Sequence, residues 1–208
     1  MEEFLNSFYL DKSDEFYFGD FWKGERDALK SENAFLLPRD EANKLNIEEF
    51  FKKSSGDIKP RLNKEFDYFA IPYELDDEVM FEGSRLADSI VKLINENLGE
   101  EVYFASTDND KCCVIKMNKF SEAIFWNAAS GHLNTPFIVF DKSKLFFVLL
   151  DYDLPIQMVG FKKGLLSSDV IQKWKTFFQQ EWSEVQQKYK SYTALSSIVT
   201  NYYQFAIK

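Results

Sequence analysis

Two apolar runs with little alternation dominate the second half of the chain, Phe137-Ile138-Val139-Phe140 and Leu145 to Leu150, joined by the polar Asp141-Lys142-Ser143-Lys144. Continuous apolar runs of this length fit strands covered on both faces, so Pro136 to Asp151 predicts a hairpin in the centre of a sheet. A second pair, Val102 to Ser106 and Cys112 to Met117, flanks Thr107-Asp108-Asn109-Asp110-Lys111, whose turn chemistry predicts another hairpin. Ile156 to Phe161 continues the sheet after Pro155. Glu122 to Trp126 reads as a further strand, broken by Ala128-Ala129-Ser130-Gly131.

Elsewhere the period lengthens. From Ser84 to Leu98 the residues Leu86, Ile90, Leu93 and Ile94 share one face, and Gly99 follows at a C-cap position, which predicts a helix with Asp88, Lys92 and Glu96 turned to water. After an N-cap at Ser167 or Ser168, the residues Ile171, Trp174, Phe178, Trp182, Val185 and Tyr189 recur every three or four positions and predict a long amphipathic helix. Leu195, Ile198, Val199, Tyr202, Phe205 and Ala206 predict a second helix folding back near the C-terminus. Leu45, Ile47, Phe50 and Phe51 fit a short amphipathic helix within Arg39 to Lys53, ended by Ser54-Ser55-Gly56-Asp57. The Phe16 to Trp22 stretch fits a strand, a loop or a packed arm equally well.

Hairpins followed by helices do not resemble regular βαβ alternation. They predict an α+β fold, a mainly antiparallel sheet of about five or six strands packed against helices. With 208 residues, 45% of them hydrophobic and 22 of them Phe, the chain can build one substantial core. We read residues 1–208 as a single domain, with 1–60 as a more loosely attached N-terminal subdomain.

Charge changes this picture. Between Glu65 and Asp110 thirteen acidic residues face only Arg85 and Lys92, a local excess larger than the net −9 of the whole protein. Such a field attracts cationic partners and repels nucleic acid and anionic membrane. The densest part holds Glu74, Asp76, Asp77, Glu78 and Glu82 beside Tyr68, Phe69, Tyr73 and Phe81. Carboxylates that speed encounter, next to rings that supply buried area, suit a partner-binding surface. The ordinary alternative is a solvated acidic loop with its aromatic residues in the core.

Other chemistry is sparse. Asp151 and Asp153 share one side of an extended segment and offer oxygen ligands to a divalent cation, an alternative reading as an enzyme or ligand-binding protein; two carboxylates make an incomplete site. Asp108-Asn109-Asp110 reads as turn. His132 is the sole histidine, so a Cys112 or Cys113 nucleophile would need His132 as base and Asp141 as orienter. Gly160 and Gly164 around Lys162 and Lys163 lack a phosphate-binding arrangement, and no cofactor is predicted. Glu2 and Glu3 stand where a secretory signal needs positive charge, no apolar run approaches a membrane span, and two adjacent cysteines suit a reducing cytoplasm. Together these features predict an acidic cytoplasmic protein-binding module without nucleic-acid or membrane partners, and they favour binding over catalysis while leaving the enzyme question open. In its most concrete form it is an immunity-type inhibitor that occludes a basic nuclease toxin through Tyr73, Glu74, Asp76, Asp77, Glu78, Phe81 and Glu82.

Overall fold

The computed structural model describes residues 31–38, 41–42, 44–52, 61–72, 85–106, 114–129, 137–151, 156–188, 194 and 197. In chain order its elements are β1 (Ala34–Leu36), a 3-10 turn (Ile47–Phe50), β2 (Phe51–Lys52), β3 (Arg61–Leu62), β4 (Phe66–Pro72), α1 (Arg85–Asn97), β5 (Val102–Ser106), β6 (Val114–Met117), α2 (Glu122–Ala129), β7 (Phe137–Asp141), β8 (Phe146–Asp151), β9 (Ile156–Lys162) and α3 (Ser168–Lys188). Seven strands pair in the order β1-β6-β5-β7-β8-β9-β4, every neighbour antiparallel, and β2 with β3 forms a separate small hairpin. The α+β class is therefore observed, with one or two strands more than the sequence pattern predicts. Both predicted hairpins are present as β5–β6 and β7–β8. The unalternating β7 lies fourth of seven and is buried at every position from Phe137 to Asp141.

Helices cover one face of the sheet. Phe69, Val159 and Phe161 stand on it, and the Phe69 ring lies 5.3 Å from that of Phe178 on α3. Phe104 stacks on Phe137 at 5.6 Å and meets Phe125 of α2 edge-on, while Ile90, Leu93 and Ile94 of α1 are buried. Against the opposite face the 3-10 turn inserts Phe50, its ring 5.0 Å from both Phe140 and Phe147 and 5.7 Å from Phe66. Tilted and edge-on ring contacts of this kind add to what area burial alone contributes. Gly160 makes the Phe147 ring possible: a Cβ there would lie 2.1 Å from the ring.

α3 closes the β4 edge. The Ser167 hydroxyl accepts the Val170 N–H at 3.4 Å, as the predicted N-cap requires, and Phe178 and Trp182 turn inward one helical turn apart. The Trp182 indole N–H donates to the Ala70 carbonyl at 2.6 Å, so a polar group of an edge strand is satisfied by a helix side chain. The predicted C-terminal helix after Tyr192 lies almost wholly outside the described residues.

Three expectations are corrected. Arg39 to Lys53 is not one continuous amphipathic helix: among its described residues Glu41 and Ala42 are helical, with the Ala42 N–H donated to the Pro38 carbonyl at 3.0 Å, but Asn46 takes a positive φ of 51°, which interrupts helical geometry, and a 3-10 turn then leads into strand β2. Adjacent Phe50 and Phe51 are both buried, a strand-like arrangement with cover on two sides. Glu122 to Trp126 is helix, not strand: the Ser121 hydroxyl accepts the Ile124 N–H at 3.3 Å and the Trp126 indole donates to Glu122 at 3.2 Å across one turn. Gly99 does not supply a left-handed cap to α1; its N–H donates instead to the Asp141 carboxylate at 2.6 Å.

Candidate functional site

The pairing register sorts the connections into two groups. Asn63 to Glu65, Leu98 to Glu101, Asn118 to Ser121, Lys142 to Leu145 and Lys163 to Ser167 all lie at one end of the main sheet, here called the turn end. At the other end, the rim, the chain leaves at Pro72, Ser106, Ala129 and Asp151 and returns at Arg85, Val114, Phe137 and Ile156. The intervening segments 73–84, 107–113, 130–136 and 152–155 contain eight acidic residues and one lysine, Lys111. The turn-end connections carry five lysines and three acids. Segment 37–46, which also starts from the rim side of β1, has balanced charge.

Tyr73, Glu74, Asp76, Asp77, Glu78, Phe81 and Glu82 lie outside the described residues, between the last residue of β4 and the first of α1. Cys112, Cys113, His132, Asp108, Asp110 and Asp153 also lie outside them. The described residues that flank these segments, Pro72, Ser106, Phe137, Asp151 and Ile156, stand at one end of the sheet. The 107–113 and 130–136 segments flank the paired Ser106 and Phe137, and β8, whose last residue is Asp151, is the next strand over. Neighbouring strands are about 4.8 Å apart. Among the described residues, no group of three or more His, Cys, Asp or Glu is arranged to hold a metal ion.

Asp141 has a structural assignment. Its carboxylate is buried and accepts the Gly99 N–H through Oδ2, and the Ser143 N–H at 2.9 Å, the Ser143 hydroxyl at 2.5 Å and the Lys144 N–H at 3.2 Å through Oδ1. These four donors bind the end of α1 to the β7–β8 turn. Four donors thus occupy the carboxylate that the sequence offered as an orienter for His132, a residue outside those described.

The acidic stretch is partly neutralised from within. Glu101 pairs with Lys116 and Lys142, each at 3.0 Å; Glu65 pairs with Lys162 at 3.6 Å and Glu96 with Lys92 at 3.8 Å. Hydrogen bonds from Lys142 and then Lys116 hold the Glu101 carboxyl below its ordinary range, and the bond to Glu101 raises Lys116. Glu65 and Glu101 belong to the turn end. The eight acids of the rim segments have a single lysine within the same stretches of sequence.

Gln157 gave no signal in the sequence beyond being the one polar residue among Ile156 to Phe161. Its side chain shares the helix-covered face with Val159, opposite Ile71 and Leu150, and is fully buried. Among the described residues it alone has buried side-chain polar atoms without a hydrogen-bond partner, at both the amide nitrogen and the amide oxygen. An amide buried bare costs roughly 1–3 kcal/mol by mutational measures. It lies one residue inside the rim.

No described helix is long and apolar enough to cross a membrane. No protein-family model, curated protein or solved structure matches the chain.

Proposed function

We propose that the chain is an acidic protein-binding module whose rim engages a basic partner, and that it acts by occlusion as an immunity-type inhibitor of a basic nuclease toxin in a reducing cytoplasm. The observation that supports this reading is the composition of the segments that connect the strands: eight acids and one lysine in those that leave and return at the rim, against a slight basic excess in the turn-end connections. A nuclease surface that binds phosphate presents Lys and Arg, and a carboxylate array competes for those groups directly. Tyr73 and Phe81 supply the apolar area that a charged ring needs at its centre to hold a partner after encounter. Occlusion asks for no catalytic group, in keeping with Asp141 being engaged in the turn end.

Titration of the full chain against basic bacterial nuclease domains tests the reading, with hen lysozyme as a cationic control. The expected result is inhibition of nuclease cleavage and a Kd that rises steeply with salt. Reversal of Asp76, Asp77 and Glu78 to Lys should weaken binding at least about tenfold, or about 1.4 kcal/mol. Absence of binding to every nuclease, or binding equally tight after the reversal, sinks the proposal.

A further inference from the structure

The Gln157 amide offers two N–H donors and one carbonyl acceptor, and the chain around it has nothing to pair with them. Directly across stand Ile71 on β4 and Leu150 on β8, and Val159 follows on the same face, all hydrocarbon side chains. β9 is an interior strand, so the backbone groups on both sides of it are engaged in ladders to β8 and β4. The indole N–H of Trp182 is already donated to Ala70. Among the described residues no group is left to complete the amide.

The chemistry of a completing molecule is restricted. An ion would be left without compensation beside Ile71, Leu150 and Val159, so the occupant is uncharged. It must donate and accept together, because both amide atoms lack partners. It must also be small, because the Gln157 side chain is fully enclosed. The amide is close to the sheet's end: Pro72, Ile156 and Asp151 form the last row of the sheet, and Gln157 lies one residue, about 3.3 Å, inside it.

We propose that Gln157 is the recognition group of an internal site for a small uncharged molecule that both donates and accepts hydrogen bonds. Two sources have this chemistry, solvent water and a small carboxamide. The site is independent of the acidic rim's role in partner binding.

NMR of the full 15N-labelled chain separates the sources, with the Gln157 side-chain NH2 pair assigned through its own bonds. Bound water predicts negative cross-relaxation from water to these protons, the sign of a long residence, unchanged when acetamide is added. A carboxamide site predicts saturable shifts of the same pair on titration with acetamide, with loss of any water cross-peak. Gln157→Leu should abolish the response while other Asn and Gln side-chain amides keep their positions. If the wild-type pair responds neither to water nor to acetamide, the site does not exist, whether or not the Leu variant folds. A response that persists in folded Gln157→Leu overturns it equally.

Discussion

The turn end and the rim of the same sheet are built on opposite principles. At the turn end the connections are short and internally bonded: Asp141 collects four donors, Glu101 draws in two lysines, and Lys144 reaches Glu49 at 3.2 Å and the Asn46 carbonyl at 3.4 Å. Every described residue with positive φ, namely Asn33, Asn46, Glu101, Lys144 and Gly164, lies there. Such backbone persists where surrounding bonds over-determine it. The rim joins the same strands with segments of up to twelve residues that hold the densest run of carboxylates in the sequence. The lesson is a contrast in construction, with one end fixed by its own bonds and the other joined to the acidic segments that we propose meet a partner.

Substitutions sharpen the division, beginning with the largest effect. Gly160→Ala forces a Cβ into the Phe147 ring and should destabilise by about 3 kcal/mol or prevent folding, since overpacking of a filled core costs this much. Urea unfolding measures it, and a loss below about 1 kcal/mol would show that the core near the turn end is looser than its contacts imply. Next, Asp141→Ala strands four donors and should lower stability by about 2–3 kcal/mol while leaving partner affinity unchanged. Weakened binding without destabilisation would reverse the roles given to the two ends.

The rim reversal Asp76→Lys, Asp77→Lys and Glu78→Lys should do the opposite, costing at least about 1.4 kcal/mol of binding and no more than about 0.5 kcal/mol of stability. Calorimetric binding and thermal unfolding on one preparation give both numbers. Acid titration is the gentlest probe. Because Glu101 is held below its ordinary value of 4.5 in the fold, its contribution is present above that value and is lost as pH falls through the lowered one. Glu101→Gln should therefore flatten the stability profile slightly below about pH 4.5 and leave it unchanged at neutral pH apart from a small offset. An equal slope in both proteins would remove Glu101 from the turn-end framework.

Much of the architecture was legible as period. The spacing of Ile171, Trp174, Phe178 and Trp182 announced α3, and the unalternating Phe137 to Leu150 stretch announced strands deep in a sheet, because burial on a helical face and burial on two strand faces leave different repeats. Edge strands were harder. β1 is three residues long, and β4 includes Asp67 and closes on Pro72, a residue that an edge tolerates and a central strand does not. For Glu122 to Trp126, five residues rich in apolar side chains fit either period, and the choice fell to a hydroxyl cap from Ser121. The rim acids were legible as charge, whereas the convergence of their segments was not, since strand order is fixed by long-range pairing. Gln157 was invisible for the same reason: a lone glutamine is remarkable only once Ile71 and Leu150 are known to flank it.

The strand order also bears on how the chain is made. β1 and β4 are the first strands of the main sheet to be synthesised, yet they occupy its two margins, Ala34 facing Met117 and Phe66 facing Lys162. On a ribosome that adds roughly 5–20 residues per second, each emerges seconds before its mate exists. A nascent chain of this kind therefore holds two strands in waiting, and its main sheet can close only after β9 has emerged.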